Sequence, residues 1–181
     1  MSITALDPRT ALLVIDLQKG IVAYPTVHPI NPVLARASEL SRAFRRHHLP
    51  VVLVNVDGGA PGRNEQPPRG GERPVDWTEL VPELGQQPDD ITVTKRTWGV
   101  FASTDLESRL KALGVTQVVI VGVATSIGVE STARQAYELG FNVSLALDAM
   151  TDMNAQTHEN SVERIFPRLG ETGASAEIVA L

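Results

Sequence analysis

The chain of 181 residues contains no cysteine. That excludes a disulfide framework, a zinc–thiolate centre and covalent catalysis through a thiol. It has no run rich in lysine and arginine, and 16 Lys+Arg against 21 Asp+Glu leave a net charge of -5. Such a balance argues for solubility and against a general nucleic-acid surface. Its longest apolar runs are far too short to span a bilayer. The N-terminus, MSITALDPRT, lacks a basic stretch followed by an apolar signal core. These absences point to a cytoplasmic protein with neither a membrane nor a nucleic acid as partner. The sequence shows no internal repeat and no linker.

What is present is an apolar content of 43%, enough for one domain over 1–181 with a sizeable core. Short apolar runs alternate with helical spacings. Ala11–Ile15 reads as a first buried strand ending in Asp16, and Val51–Val56 as a second, closed by Asp57, Gly58 and Gly59. Ile91–Thr94 reads as a short strand followed by Lys95, Val118–Val121 as a strand halted by Gly122, and Phe141–Leu147 as a strand ending in Asp148. Between them, Asn31 reads as an N-cap with Pro32 in the first turn of a helix reaching His48. Thr104 and Glu107 form a capping-box pattern opening a helix to Leu113. Val129–Leu139 reads as a helix ended by Gly140, and Asn154–Leu169 as another. Trp77–Leu84 reads as a short helix and Glu177–Leu181 as a last short strand. Residues 60–74, rich in glycine, proline and charge, read as a surface loop. Its Arg63, Arg69 and Arg73 would meet an anionic substrate only if the loop folded over the site. Alternating strands and helices imply an α/β fold: a three-layer α/β/α sandwich on a parallel, Rossmann-like sheet of about six strands.

The turn from Gly122 to Gly128 links a buried strand to a helix, where open α/β sheets bind ligands and helical N–H groups favour negative charge. Judged by residue type alone, Asp16 is a carboxylate capping the next turn, Lys95 an exposed strand-end lysine, and Trp98 and Phe101 either pocket lining or core. His158, alone and early in its helix, reads as solvated; Tyr137 reads as packing.

Taken together and in order, V-I-D-L-Q at 14–18, T-K-R-T-W-G-V-F at 94–101, G-V-A-T-S-I-G at 122–128 and Asp148-Ala149 resemble the isochorismatase-like hydrolases, also called cysteine hydrolases. The resemblance covers nearly the whole chain. It implies that Asp16 is the acid/base group with Lys95 beside it, and that the position of the family's nucleophilic cysteine is Gly128. It further implies a cis peptide between Val123 and Ala124. A substrate pocket is expected around Trp98, Phe101, Ala124, Thr125 and Ser126, with Asn55 as a possible contact after the second strand. Asp57 is followed by two glycines instead of the Asp-x-His of the nicotinamidase branch, so no metal and no cofactor are expected. A homo-oligomer, dimer or tetramer, is expected from the same resemblance.

Glycine cannot serve as a nucleophile. Isochorismatases share glycine at this position, and the resemblance therefore favours hydrolysis of a small molecule, vinyl-ether cleavage of isochorismate above all, with Asp16 as general acid. Two alternatives stay open: a binding protein whose pocket outlived the thiol, and an amide hydrolase that activates water directly.

Overall fold

The structure, a computed structural model, describes residues 3–65 and 72–180. Six parallel strands form one sheet in the order β3-β2-β1-β4-β5-β6. They are β1 (Thr10–Ile15), β2 (Val51–Val56), β3 (Ile91–Lys95), β4 (Gln117–Val123), β5 (Asn142–Thr151) and β6 (Glu171–Gly173). β1 and β4 are buried along their whole length, as expected of central strands covered on both faces.

Side chains alternate between two apolar layers. On one face Leu12, Val14, Leu53, Val119 and Val121 meet Leu34, Ala37, Leu40 and Phe44 of helix α2 (Ile30–Arg46) and Ile178 of α6 (Ser175–Ala180). On the other, Leu13, Ile15, Val54, Val118 and Ile120 meet Leu106 and Leu110 of α3 (Leu106–Ala112) and Val129, Ala133 and Ala136 at α4 (Glu130–Glu138). The period of two in the strands and the helical spacing in α2 and α4 generate the three layers. A four-residue turn, α1 (Lys19–Val22), and α5 (Ala155–Asn160) sit at the carboxyl edge.

Several boundaries differ from the sequence reading. Helix α2 begins at Ile30, with Pro29 as its N-cap; Asn31 and Pro32 lie inside the first turn, where a missing N–H breaks no helical bond. The Thr104–Glu107 box does not form. Thr104 Oγ1 accepts from Leu106 N and donates to Val100 O, while Glu107 pairs with Lys111. Trp77–Leu84 is only a 3-10 turn at Pro82–Leu84, because its backbone is pinned to the stretch after β1: Lys19 N and Gly20 N donate to Glu79 O and Trp77 O, and Val81 N donates to Leu17 O. The helix read over Asn154–Leu169 is α5, capped by Asn154, followed by a wide turn (Ser161–Ile165) and a tight one at Phe166–Arg168. Glu177–Ala180 belongs to helix α6, since the Glu177 carboxylate accepts from Ala174 N and Asp148 accepts from both Ser175 N and Oγ. Within the loop at 60–74, residues 66–71, Arg69 among them, lie outside the described residues, and the described part has no helix or strand.

The chain builds outward through β1, β2 and β3, then returns to place β4 on the other side of β1. The carboxyl ends of β1 and β4 are thus the topological switch point, where such sheets leave a crevice. Gly122 makes the tight junction possible: at φ +122 its Cα lies against β1, and a Cβ there would stand 2.0 Å from Ile15 O.

Candidate active site

Asp16 directly follows β1 in the left-handed region, at φ 53, which turns its carboxylate out of the strand direction. Lys95 ends β3, two strands away, and its stem crosses the short end of β2, a gap of roughly 10 Å at ordinary strand spacing. Lys95 Nζ donates to Asp16 Oδ2 at 2.8 Å and to Thr97 O at 3.1 Å. Both side chains are buried, 2% and 7% exposed. Asp16 Oδ1 is also buried and has no hydrogen-bond partner.

Burial pushes the Asp16 carboxyl up to about 6, and the charge and hydrogen bond of Lys95 oppose that rise. The group is therefore poised to exchange a proton near neutral pH. Gly128 completes the centre. A Cβ there would stand 3.0 Å from Asp16 Oδ2 and 3.0 Å from Ile15 Cγ2, so its bare backbone lies against the carboxylate. The peptide bond between Val123 and Ala124 is cis.

Asp16, Lys95, Gly128, Ala124 and Trp98 line one cleft of about 1310 Å³. Both tryptophans of the chain line it, Trp98 from a mouth where it is 65% exposed and Trp77 from below. Trp77 lies so close to Gly20 that a Cβ there would meet its ring at 2.0 Å. The guanidinium of Arg73 stands over the same ring, 4.2 Å from its centroid, and 3.6 Å from the Asp57 carboxylate. Buried Gln18 fastens this side of the cleft, accepting from Val56 N and donating to Val56 O and Trp77 O. Among the described lining residues one serine or threonine occurs, Thr97, whose hydroxyl donates to Gly99 O and meets Ser103. Among the described residues no group of three or more His, Asp or Glu side chains could hold a metal ion.

Four expected pocket residues do not line this cleft. Phe101 is in the core, stacked on Phe141 with centroids 5.9 Å apart, because Phe101 N is anchored to Gln135 of α4. Asn55 donates to Thr78 O and serves to tie that loop to β2. Thr125 is fully buried, its hydroxyl 2.9 Å from Nδ1 of His158. Ser126 donates its N–H to Asp152 at 2.7 Å and lines a smaller neighbouring cavity. His158 is thus half-buried against the turn, not solvated, and Tyr137 is exposed rather than packed. Sequence reasoning missed Gly20 with Trp77, the bracing by Gln18, and Asp152. An aromatic residue at the edge of a glycine- and proline-rich loop was the available sign of the first; nothing local marked the others.

Comparison with known proteins agrees with this architecture. A profile of the isochorismatase domain matches residues 10–177. The isochorismatase family protein YwoC of Bacillus subtilis is 42% identical over 178 residues, covering 94% of this chain and 93% of its own length. A solved isochorismatase family protein from Burkholderia thailandensis superposes with a TM-score of 0.93 at 39% identity, covering 99% of this chain and 98% of its own. Nicotinamidase 3 of Arabidopsis thaliana is 31% identical over 84% of this chain and 80% of its own length.

Proposed function

The chain belongs to the isochorismatase family of hydrolases, and from that premise we propose that it hydrolyses a small polar molecule by general acid catalysis at Asp16, without a covalent enzyme intermediate. The observation that carries this reading is the Asp16 carboxyl itself. One oxygen is held by Lys95, the other is buried without a partner, and the group titrates near 6. Oδ1 is the atom available to bear a transferable proton. Gly128 sets backbone, and no nucleophile, beside it.

Isochorismate is the substrate we propose. Its enolpyruvyl side chain contains an electron-rich C=C bonded to the ether oxygen. Protonated Asp16 delivers its proton to the terminal carbon, which becomes a methyl group. The positive charge then rests on the oxocarbenium carbon, and the aspartate left behind is ionised and held by Lys95. Water adds to that carbon and loses a proton, and the hemiketal collapses to pyruvate and a dihydroxy-dihydrobenzoate. The proton balance restores Asp16. Trp98, Ala124 and Trp77 give the cleft apolar walls for the ring, and Arg63 and Arg73 supply positive charge on one side of it.

A second reading takes its support from the likeness to Nicotinamidase 3. Ionised Asp16 would then activate water against an amide. The test is pyruvate release from isochorismate by the purified protein and by Asp16→Asn, with a panel of small amides alongside. Release that disappears in the variant supports the acid reading. Release that persists refutes it, and turnover of an amide alone selects the second reading.

A further inference from the structure

Two imidazoles outside the cleft brace the turn that carries Ala124 and Gly128. His158, on α5, and His28, in the segment before α2, meet edge to face with centroids 4.8 Å apart and planes at 64°. Each holds a threonine. His158 Nδ1 lies 2.9 Å from the hydroxyl of fully buried Thr125, the residue after Ala124. His28 meets Thr151 twice: its backbone N–H donates to the hydroxyl oxygen at 3.1 Å, and its Nδ1 lies 3.3 Å from the same hydroxyl. Thr151 is the β5 partner of Val123. The two threonines therefore bracket the Val123–Ala124 peptide, one beside it in the sheet and one after it in the chain.

We propose that His28 and His158 are positioning residues, a proton-sensitive brace that holds the turn while the inner ring, His158, is neutral and loosens it when that ring takes a proton. Two imidazolium rings in edge contact repel, and burial disfavours charge on the inner one. The His158 imidazole is held below its ordinary 6.5 by burial first and by His28 second, while Asp152 and Glu159 pull the other way. Neither carboxylate takes up the protons of the pair by a direct bond. Asp152 spends its oxygens on Ser126 N, Met153 N and Asn154 N, so it fixes the same turn from the other side. Glu159, next to His158 on α5, is exposed.

The effect on rate rests on the reaction proposed above: the brace would add an acid limb to its pH profile. The titration itself does not rest on that reaction and is measured without substrate. Imidazole Cε1–H and the backbone amides of Thr125 and Ser126, the residues of the turn that do not line the Asp16 cleft, are followed by NMR from pH 4.5 to 8 in the wild type, His28→Gln, His158→Gln and Asp16→Asn. The amides of the turn are expected to titrate in the wild type with the midpoint of His158, below 6.5. In His28→Gln the midpoint moves up toward 6.5, because the neighbouring charge is gone. In His158→Gln the transition of the turn is lost, and in Asp16→Asn it stays. Turn amides that remain fixed while the imidazoles titrate would overturn the proposal. So would a transition that survives His158→Gln or vanishes in Asp16→Asn, which would assign it to the carboxyl.

Discussion

Replacing Lys95 with methionine removes a buried cation while keeping an apolar stem of similar length. In the wild type the Asp16 carboxyl titrates at about 6 against an ordinary 3.8, so the folded protein binds the proton more tightly than the unfolded chain. The sign follows from linkage. Between 3.8 and about 6 the native state holds more protons, so this group's contribution is greatest below 3.8 and is lost as pH rises through about 6. At 1.36 kcal/mol per pH unit, the loss by pH 7 is about 3 kcal/mol. Lys95 is the group that keeps it from being larger. Breaking a buried ion pair typically costs about 3–5 kcal/mol, equivalent to roughly 2–4 pH units, and buried carboxylates have been found as high as about 8–9. Lys95→Met should therefore move the Asp16 titration from about 6 to roughly 8–9. Urea unfolding between pH 4 and 9 reads this directly, with each protein compared against the same protein carrying Asp16→Asn. The wild-type difference should level off above pH 7, and the Lys95→Met difference should keep changing to about pH 9. A window that stays in place, or moves to lower pH, would refute the view that burial and Lys95 act in opposition on Asp16.

Other substitutions test separate parts of the site. Asp16→Asn should lower turnover by about 10²–10⁴-fold, the usual worth of a positioned acid, with the fold retained by circular dichroism; a smaller loss would assign the proton to another group. Gly128→Ala should lower stability by about 1–3 kcal/mol in urea, because its Cβ would stand 3.0 Å from both Asp16 Oδ2 and Ile15 Cγ2; an unchanged midpoint would mean that the site has room to spare. Gly20→Ala must push Trp77 from its seat, where a Cβ would meet the ring at 2.0 Å, so it should change the tryptophan fluorescence and raise KM; an unaltered spectrum would contradict the packing. Phe101→Ala should destabilise by about 3–5 kcal/mol and leave KM near wild type, since that ring packs on Phe141 and not in the cleft. Trp98→Ala should do the reverse.

Strands β1, β2 and β4 were readable because apolar residues dominate there, and β2 occupies the very residues expected, Val51–Val56; β6, Glu171–Gly173, has no apolar run and was not expected. Asp16, Lys95 and Gly128 were readable from local motifs, each sitting at a strand or turn end. Their assembly was not readable from residue chemistry alone: Lys95 reaches Asp16 across an intervening strand, a relation set by strand order. Phe101 and Asn55 were misassigned for a similar reason. Phe101 lies in a motif and Asn55 near the carboxyl end of β2, so both fall close to the site, but their settings are decided by Gln135 of α4 and by Thr78 O, which lie in other segments of the chain. His158 looked solitary because its neighbour, His28, is far away along the chain and meets it only through the sheet edge. The end of the chain was misread because Glu177 and Asp148, not local propensity, decide that Ser175 begins a helix.

The most direct test of Asp16 as an acid is the pH dependence of kcat/KM for isochorismate. An acid must be protonated to act, so kcat/KM should fall tenfold per pH unit above about 6, and that limb should vanish with Asp16→Asn. A value that climbs through the same range would contradict the account, because it would make ionised Asp16 a base.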